Sequence, residues 1–243
     1  MRIYRVKDYD GMSRKAASVL AAQIVAEPES VLGLATGSTP EGTYRYLRAW
    51  YEEGTLDFAG IRTVNLDEYR GIRRDSEQSY YYFMKEKLFD HVNIREEHTH
   101  IPDGEEADAE KVCREYEALI RSLGGVDLQL LGIGRNGHIG FNEPSDCFAG
   151  ECHCVTLQES TLEANRRFFD KMEDVPRQAY TMGIGTIMSA KKILLLVSGR
   201  DKAEALAAAL KGPVTPKLPA SILKFHPDVT VIADEQACSV LDR

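Results

Sequence analysis

Short apolar, β-branched runs alternate along this chain with longer stretches whose apolar residues recur at three- and four-residue spacing. The short runs predict β-strands and the longer stretches predict helices. Because parallel strands need a crossover between them, this alternation predicts an α/β fold: an open, mostly parallel sheet flanked by helices on both faces, of Rossmann-like type. The predicted strands are residues 30–35, 61–66, 126–133, 193–197 and 229–233. The predicted helices are residues 13–26, 41–53, 79–89, 107–123 and 201–210.

Length, charge and cysteine content narrow the class of protein further. Hydrophobic residues make up 43% of the 243 residues, enough for one sizeable core, so we expect a single domain over residues 1–243. A formal net charge of −8 with scattered basic residues disfavours a nucleic-acid partner. Charges interrupt the N-terminus, and no apolar run approaches the roughly 20 residues that span a bilayer, so we expect no export signal and no membrane partner. The five cysteines form no regular framework, which favours a reducing, cytoplasmic location.

Ligands of open parallel sheets bind beyond the carboxyl ends of the strands, so polar residues after each apolar run are candidate site residues. The first such segment is a small-residue turn in which Gly37, Ser38 and Thr39 precede a helix opened by Pro40. Free N–H groups, hydroxyls and the helix dipole make such a turn suitable for a phosphate. An ordinary helix N-cap is the alternative, and the spacing leaves both interpretations open.

The second segment is Val64-Asn-Leu-Asp-Glu-Tyr69, in which two adjacent carboxylates follow a strand that should be buried. Only one of them can point into the crevice. A partly desolvated carboxylate such as Asp67 can take a carbon-bound proton next to a carbonyl or imine. Taken alone, the pattern fits a solvated loop acid or a helix cap better.

The third segment, residues 131–144, contains three glycines in the G-x-G-x-x-G spacing of dinucleotide-binding proteins. That motif has to open a helix, whereas the residues that follow here predict a loop, so we reject a nucleotide cofactor. The loop instead brings together Asn136, His138 and Glu143. The unperturbed pKa of histidine lies near neutral pH, so His138 could exchange a proton with the ring oxygen of a sugar. Glu143 could orient the imidazole, and Asn136 could be a further hydrogen-bond partner.

Two cations are candidates for binding a phosphate. Arg167 lies within Ala-Asn-Arg-Arg-Phe-Phe, and Lys202 follows the strand predicted at residues 193–197. Lys202 could therefore reach the same crevice. Each of them, considered alone, fits a surface charge better.

A cluster of potential zinc ligands lies in the C-terminal half of the chain, as Arg167 and Lys202 do. Its Cys-His-Cys triplet lacks the usual spacer between ligand pairs, and no second pair is near in sequence. We therefore expect no metal at these residues, which are Cys147, Cys152, His153 and Cys154.

Five motifs together, LGLATGSTP, NLDEY, GIGRNGHIGFNEP, ANRRFF and GRDKA, closely resemble the glucosamine-6-phosphate deaminase family over nearly the whole chain. The resemblance implies a sugar-phosphate isomerase type of α/β fold. It also implies conversion of glucosamine 6-phosphate and water to fructose 6-phosphate and ammonia, without a cofactor. By resemblance, Asp67 moves the proton between C2 and C1, and His138 opens the sugar ring with the support of Glu143. The positions that match the family's phosphate ligands are Gly37, Ser38, Thr39, Arg167 and Lys202.

The chain departs from some members of the family at Asn136, where they have an aspartate in a relay with the histidine. Asparagine cannot carry that charge, so we expect Glu143 to be the main carboxylate partner of His138. Larger family members are hexamers activated by N-acetylglucosamine 6-phosphate through basic residues after the NEP segment. The corresponding residues 145–155 contain no basic side chain except His153. We therefore expect a non-allosteric enzyme that is a monomer or a low-order homo-oligomer.

Two other functions compete with this one. A 6-phosphogluconolactonase-like hydrolase would use a similar crevice but needs no base at C2, and the NLDEY motif together with GHIGFNEP favours the deaminase. A sugar-phosphate sensor of a transcriptional regulator would carry a DNA-binding helical segment and a basic face, and this chain shows neither pattern.

Overall fold

A computed structural model describes residues 1–166, 169, 171 and 174–241. The predicted phosphate ligand Arg167 therefore lies outside the described residues. Within them no helix is long and apolar enough to cross a membrane. The strands are β1 (Arg2–Val6), β2 (Val31–Leu34), β3 (Arg62–Asn65), β4 (Asp67–Tyr69), β5 (Thr99–His100), β6 (Leu128–Leu131), β7 (His153–Thr156), β8 (Gln178–Thr181), β9 (Lys192–Val197) and β10 (Val229–Asp234). The α-helices are α1 (Tyr9–Ala26), α2 (Ser38–Glu52), α3 (Tyr80–Lys87), α4 (Ala109–Ser122), α5 (Glu159–Asn165), α6 (Ile184–Met188) and α7 (Ala203–Lys211).

In the described part of the chain, seven strands form one sheet in the order β1-β10-β9-β6-β2-β3-β5. Every pairing in it is parallel. Residues of β9 alternate between two apolar cores: Leu194 and Leu196 pack with α1, α2 and α3, whereas Ile193 and Leu195 pack with α4, α6 and α7. Burial on both faces explains why this strand is a continuous apolar run. The predicted α/β class, with helices on both faces of a mostly parallel sheet, is confirmed.

The order of the strands places the predicted site segments side by side. From β2 the chain runs outward through β3 to β5, and then returns to add β6 on the other side of β2. The direction of winding therefore reverses between β2 and β6, and a crevice opens there beyond the carboxyl ends of the strands. The segments with candidate residues follow β3, β2, β6 and β9, which are four neighbouring strands.

A second, antiparallel sheet in the order β4-β8-β7 covers part of this crevice. Leu66 joins the two sheets, because its N–H donates to Leu34 O (3.1 Å) and its carbonyl accepts from Met182 N (2.7 Å). The sequence did not predict this sheet, since β4 has three residues and two of them are carboxylates. Asp67 consequently begins a new strand at the junction of two sheets, rather than lying in a solvated loop.

The close contact between Gly33 on β2 and Gln129 on β6 gives a test of the fold. A Cβ at Gly33 would lie 2.0 Å from Gln129 Oε1, and the Gln129 side chain is fully buried with Nε2 donating to Leu130 O. We predict that Gly33→Ala lowers the free energy of unfolding by about 1–3 kcal/mol through overpacking. Gly132→Ala is the matched control, because a Cβ there meets no atom within 4 Å. Equal urea midpoints for the two variants would contradict this packing.

Candidate active site

The turn after β2 presents the amino end of α2 to the crevice. Gly37 is the N-cap residue with φ of 88°, a left-handed conformation that favours glycine, and no side chain caps the helix. Ser38 is exposed, and Thr39 is half-buried. Tyr9 holds the turn in place, because its hydroxyl donates to Ser38 O and accepts from Gly42 N, both at 2.8 Å. The first-turn N–H groups and hydroxyls can therefore bind an anion.

Asp67 is a buried carboxyl at the start of β4. Only 7% of the residue is exposed, and it pairs with Thr181 of β8. Burial, together with the negative charge of neighbouring Glu68, raises the pKa of Asp67 to about 8. Its Oδ2 lies 3.6 Å from the position of a Cβ on Gly140, so the carboxyl faces the loop that follows β6. A carboxylate in such a place is a strong base for its type.

Glu68 points to the other side of β4 and interacts with α3. Its carboxylate accepts from the backbone N–H groups of Tyr69 (2.8 Å), Tyr80 (3.0 Å) and Tyr81 (3.0 Å). Burial raises the pKa of Glu68 to about 7, although these three hydrogen bonds act in the opposite direction. The two adjacent carboxylates therefore lie in different environments.

The loop after β6 carries the predicted histidine and contains no helix, so the dinucleotide-binding interpretation does not apply. Gly134 N donates to His138 O at 2.9 Å and closes a tight turn. A Cβ on Gly134 would lie 2.3 Å from the His138 ring. Glycine is therefore required at 134 because the imidazole packs directly on the backbone there.

Glu143 lies beside this imidazole. The distance from His138 Nδ1 to Glu143 Oε2 is 3.5 Å, which suits an ion pair but is long for a hydrogen bond. Its other contacts are short: Thr161 Oγ1 donates to Oε1 at 2.5 Å and Asn136 Nδ2 donates to Oε2 at 2.6 Å. Burial alone would raise the pKa of Glu143, but interactions with His138, Thr161 and Asn136 outweigh it and lower the pKa. Glu143 therefore stays ionised next to the imidazole.

Asn136 acts on the carboxylate rather than on the ring. Its amide donates to Glu143, and its Oδ1 accepts from the backbone N–H of His138 at 3.2 Å. An aspartate could not make the first of these contacts without protonation. Asn136 thus holds Glu143 in position, and Glu143 supplies the negative charge beside the imidazole.

Lys202 ends a short 3₁₀ turn after β9 and is half-buried. An ion pair between Arg135 Nε and Asp201 Oδ2 (2.8 Å) joins this turn to the loop that carries His138. The structure thus brings Lys202 to the same edge of the sheet as Asn136, His138 and Glu143. Among the predicted phosphate ligands, only Arg167 lies outside the described residues.

Sequence reasoning missed three residues of this site. Thr161 holds Glu143, Thr181 Oγ1 accepts from Phe141 N (3.0 Å), and Gly140 leaves room beside Asp67. Thr161 and Thr181 belong to segments whose approach depends on tertiary packing. Gly140, with φ of 55°, stood within a glycine-rich loop that could have suggested close backbone contact.

The cysteines are not among the site residues described above, although Cys147 lines a cavity of about 250 Å³ together with Glu143. Three of them, Cys113, Cys152 and Cys154, line a cavity of about 400 Å³ between α4 and β7. In the residues for which the structure gives positions, no group of three or more histidine, cysteine or acidic side chains is arranged to hold a metal ion.

Comparison with known proteins places this geometry in a family. The model of the family described as glucosamine-6-phosphate isomerases/6-phosphogluconolactonase matches residues 9–232. The glucosamine-6-phosphate deaminase of Lachnoclostridium phytofermentans is 56% identical and aligns with 96% of this chain and 98% of its own length. The same enzyme of Clostridioides difficile is also 56% identical, over 100% of this chain and 97% of its own.

Comparison with solved structures gives the same family. A monomeric glucosamine-6-phosphate deaminase superposes with a TM-score of 0.96 at 48% identity, covering 99% of this chain and 100% of that one. The 6-phosphogluconolactonase of Trypanosoma cruzi has a TM-score of 0.80 at 20% identity, covering 100% of this chain and 97% of that one, and shares the fold alone. This chain belongs to the glucosamine-6-phosphate isomerase and 6-phosphogluconolactonase family.

Proposed function

We propose that this chain is a glucosamine-6-phosphate deaminase, which converts glucosamine 6-phosphate and water to fructose 6-phosphate and ammonia. One observation carries the proposal: a buried base and an imidazole–carboxylate pair meet at one loop. Asp67 faces Gly140, and the same loop carries His138 and Glu143. An aldose-to-ketose rearrangement needs a base near C1 and C2 and a separate acid near the ring oxygen. The names of relatives at 56% identity support the same activity.

The proposal includes the setting of the enzyme. Because the reaction consumes water and breaks a carbon–nitrogen bond, we class it as a hydrolase. Proton transfer between carbons requires an acid and a base, so the proposed reaction needs no metal or organic cofactor. We propose one domain over residues 1–243, in the cytoplasm, acting on a small amino sugar phosphate as a monomer or low-order homo-oligomer. The monomeric deaminase with a TM-score of 0.96 supports the last point.

Binding of the phosphate would fix the substrate along the crevice. Gly37, Ser38 and Thr39 offer N–H groups and hydroxyls at the amino end of α2, and Lys202 offers a positive charge from the turn after β9. Arg167 is the fifth ligand that we propose. Anchoring at the phosphate holds C1 and C2 at a set distance from the loop that carries His138, which reduces the entropy lost in reaching the transition state.

His138 would open the sugar ring by exchanging a proton with its oxygen. The buried charge of Glu143 lies 3.5 Å from Nδ1 of His138. It stabilises the imidazolium that forms when the imidazole takes up a proton. The separation can shorten when substrate fills the crevice. Opening of the ring gives the linear amino aldehyde on which Asp67 acts.

Asp67 would then carry the proton from C2 to C1. As a carboxylate it takes the C2 proton to give an enolamine, and as a carboxylic acid it returns the proton to C1. The product is an imine at C2, which water hydrolyses to the ketone and ammonia. A pKa of about 8 favours both halves of this transfer, since the group is neither a weak base nor a weak acid near neutrality.

The activity can be tested by its products. We predict that the purified protein releases ammonia and fructose 6-phosphate in equal amounts from glucosamine 6-phosphate, measured by coupled dehydrogenase assays. Because opening a lactone leaves Asp67 without a role, we expect hydrolysis of 6-phosphogluconolactone to be much slower than ammonia release from glucosamine 6-phosphate. Lactone hydrolysis without ammonia release would support the competing hydrolase function instead.

The role of Asp67 gives a second test. We predict that Asp67→Asn lowers kcat by about 10²- to 10⁴-fold, because a neutral amide cannot accept the carbon-bound proton. In the wild type, kcat/KM should rise with pH through the pKa of Asp67, which is about 8, and level off above it, because only the carboxylate form accepts the proton. Binding of fructose 6-phosphate, measured by calorimetry, serves as the control and should persist in the variant. Near-normal turnover by Asp67→Asn would show that the base assignment is wrong.

The absence of allosteric control is a further proposal. Residues 145–155 contribute to a cavity of about 250 Å³, and His153 is the single basic side chain among the described residues that line it. An anionic effector would find little positive charge there. We predict a hyperbolic dependence of rate on glucosamine 6-phosphate, with half-saturation changed by less than about twofold on adding N-acetylglucosamine 6-phosphate. A sigmoidal curve that this effector makes hyperbolic would contradict the proposal.

A further inference from the structure

Glu68 is a buried carboxylate to which the proposed reaction gives no role. Just 2% of the residue is exposed, and its carboxylate accepts three backbone N–H groups, two of them from the first turn of α3. The backbone of Gly104 covers its stem, because a Cβ there would lie 3.1 Å from Glu68 Cγ. Burying an acid next to the buried Asp67 is costly, since the two negative charges repel.

The position of Glu68 within the small sheet suggests what compensates for this cost. β4 is an edge strand, bonded to β8 along one side only. On its other side the backbone of Gly104 lies close to Tyr69 O, since a Cβ on Gly104 would be 2.5 Å from that oxygen, and the Glu68 carboxylate reaches the amino end of α3. The N–H groups of Tyr80 and Tyr81 are helix-end donors without partners inside the helix, and the helix dipole favours a negative charge there. Glu68 therefore attaches β4 to α3 through its carboxylate, beside the contact between the Tyr69 and Tyr80 rings.

We propose that Glu68 is a positioning residue for Asp67: by fixing the free side of β4 to α3, it holds the preceding residue's carboxyl in the crevice. Adjacent residues of a strand point to opposite faces, so the orientation of Glu68 determines that of Asp67. The inference rests on the proposed function, in which Asp67 is the base. Displacement of a base by about 1 Å can cost about 10² in rate, so a small shift of β4 is enough to matter.

Glu68 also acts on Asp67 through its charge. Among the described residues, the groups whose charge interacts with Asp67 are Glu68 on its own strand and the phenols of Tyr80 on α3 and Tyr116 on α4, while His138 and Glu143 lie on the loop that Asp67 faces. Burial raises the pKa of both phenols well above 10, so they remain neutral during catalysis. Of these three interacting groups, Glu68 is the one that carries a charge, and loss of its negative charge would lower the pKa of Asp67.

The test compares two variants of Glu68 in the full-length enzyme. Glu68→Gln removes the charge and sets an NH₂ group against one of the three N–H donors. We expect kcat at pH 9 to fall by at least about tenfold with KM changed less than about threefold. The acid limb of kcat/KM should move to lower pH. Glu68→Asp keeps the charge but shortens the arm, so kcat should fall while the limb stays near its wild-type position.

A matched control separates positioning from stability. Glu117 is another buried carboxylate, which accepts from Cys152 N (2.7 Å) and Thr186 Oγ1 (2.5 Å) away from the crevice. We expect Glu117→Gln to lower Tm with no change in kcat or in the pH profile. If Glu68→Gln does not fold, the kcat of Glu68→Asp tests the positioning role by itself: a fall supports that role, and an unchanged kcat contradicts it.

The outcomes distinguish this inference from the proposed function. Turnover within about twofold of wild type in the folded Glu68 variants, together with an inactive Asp67→Asn, would overturn the positioning role alone. Turnover retained by Asp67→Asn would overturn the assigned base itself, whatever the Glu68 variants do.

Discussion

The structure depends on the burial of one carboxyl at the junction of two sheets. Leu66 forms hydrogen bonds to both sheets, and Asp67 follows it directly, with 7% of its surface exposed. An ionised acid in such a place is destabilising for the fold unless its neighbours compensate. The Leu66 hydrogen bonds hold the strand in place, and none of the ion pairs formed by the described residues involves the Asp67 carboxyl, which such a pair would make a weaker base.

The two candidate acids of the site illustrate how environment assigns different roles to similar groups. Asp67 has a pKa raised to about 8 by burial and by a like charge. The pKa of Glu143 is lowered, because its two oxygens accept from Thr161 and Asn136 and it lies beside His138. One carboxyl can therefore gain and lose a proton near neutral pH, whereas the other remains a fixed charge.

Much of the main sheet followed from sequence pattern, because strands buried on both faces are continuous apolar runs such as residues 193–197. The small sheet did not follow, since β4 has three residues and its pairing with β8 joins segments distant in sequence. The segments after β3, β2, β6 and β9 could be predicted to meet, because parallel strands place their carboxyl ends together. The partners of Glu143 and Glu68 could not, since they depend on how α5 and α3 pack against those segments.

Asn136 shows how one residue change can be accommodated within such a site. Each oxygen of Glu143 accepts from a neutral donor, Thr161 on one side and Asn136 on the other. An aspartate at 136 would place a second carboxylate 2.6 Å from the first, and one of the two would have to take a proton. That proton would cancel one of the two negative charges beside the imidazole. With asparagine, the negative charge remains on Glu143, and in the proposed mechanism His138 would exchange its proton against a constant electrostatic background.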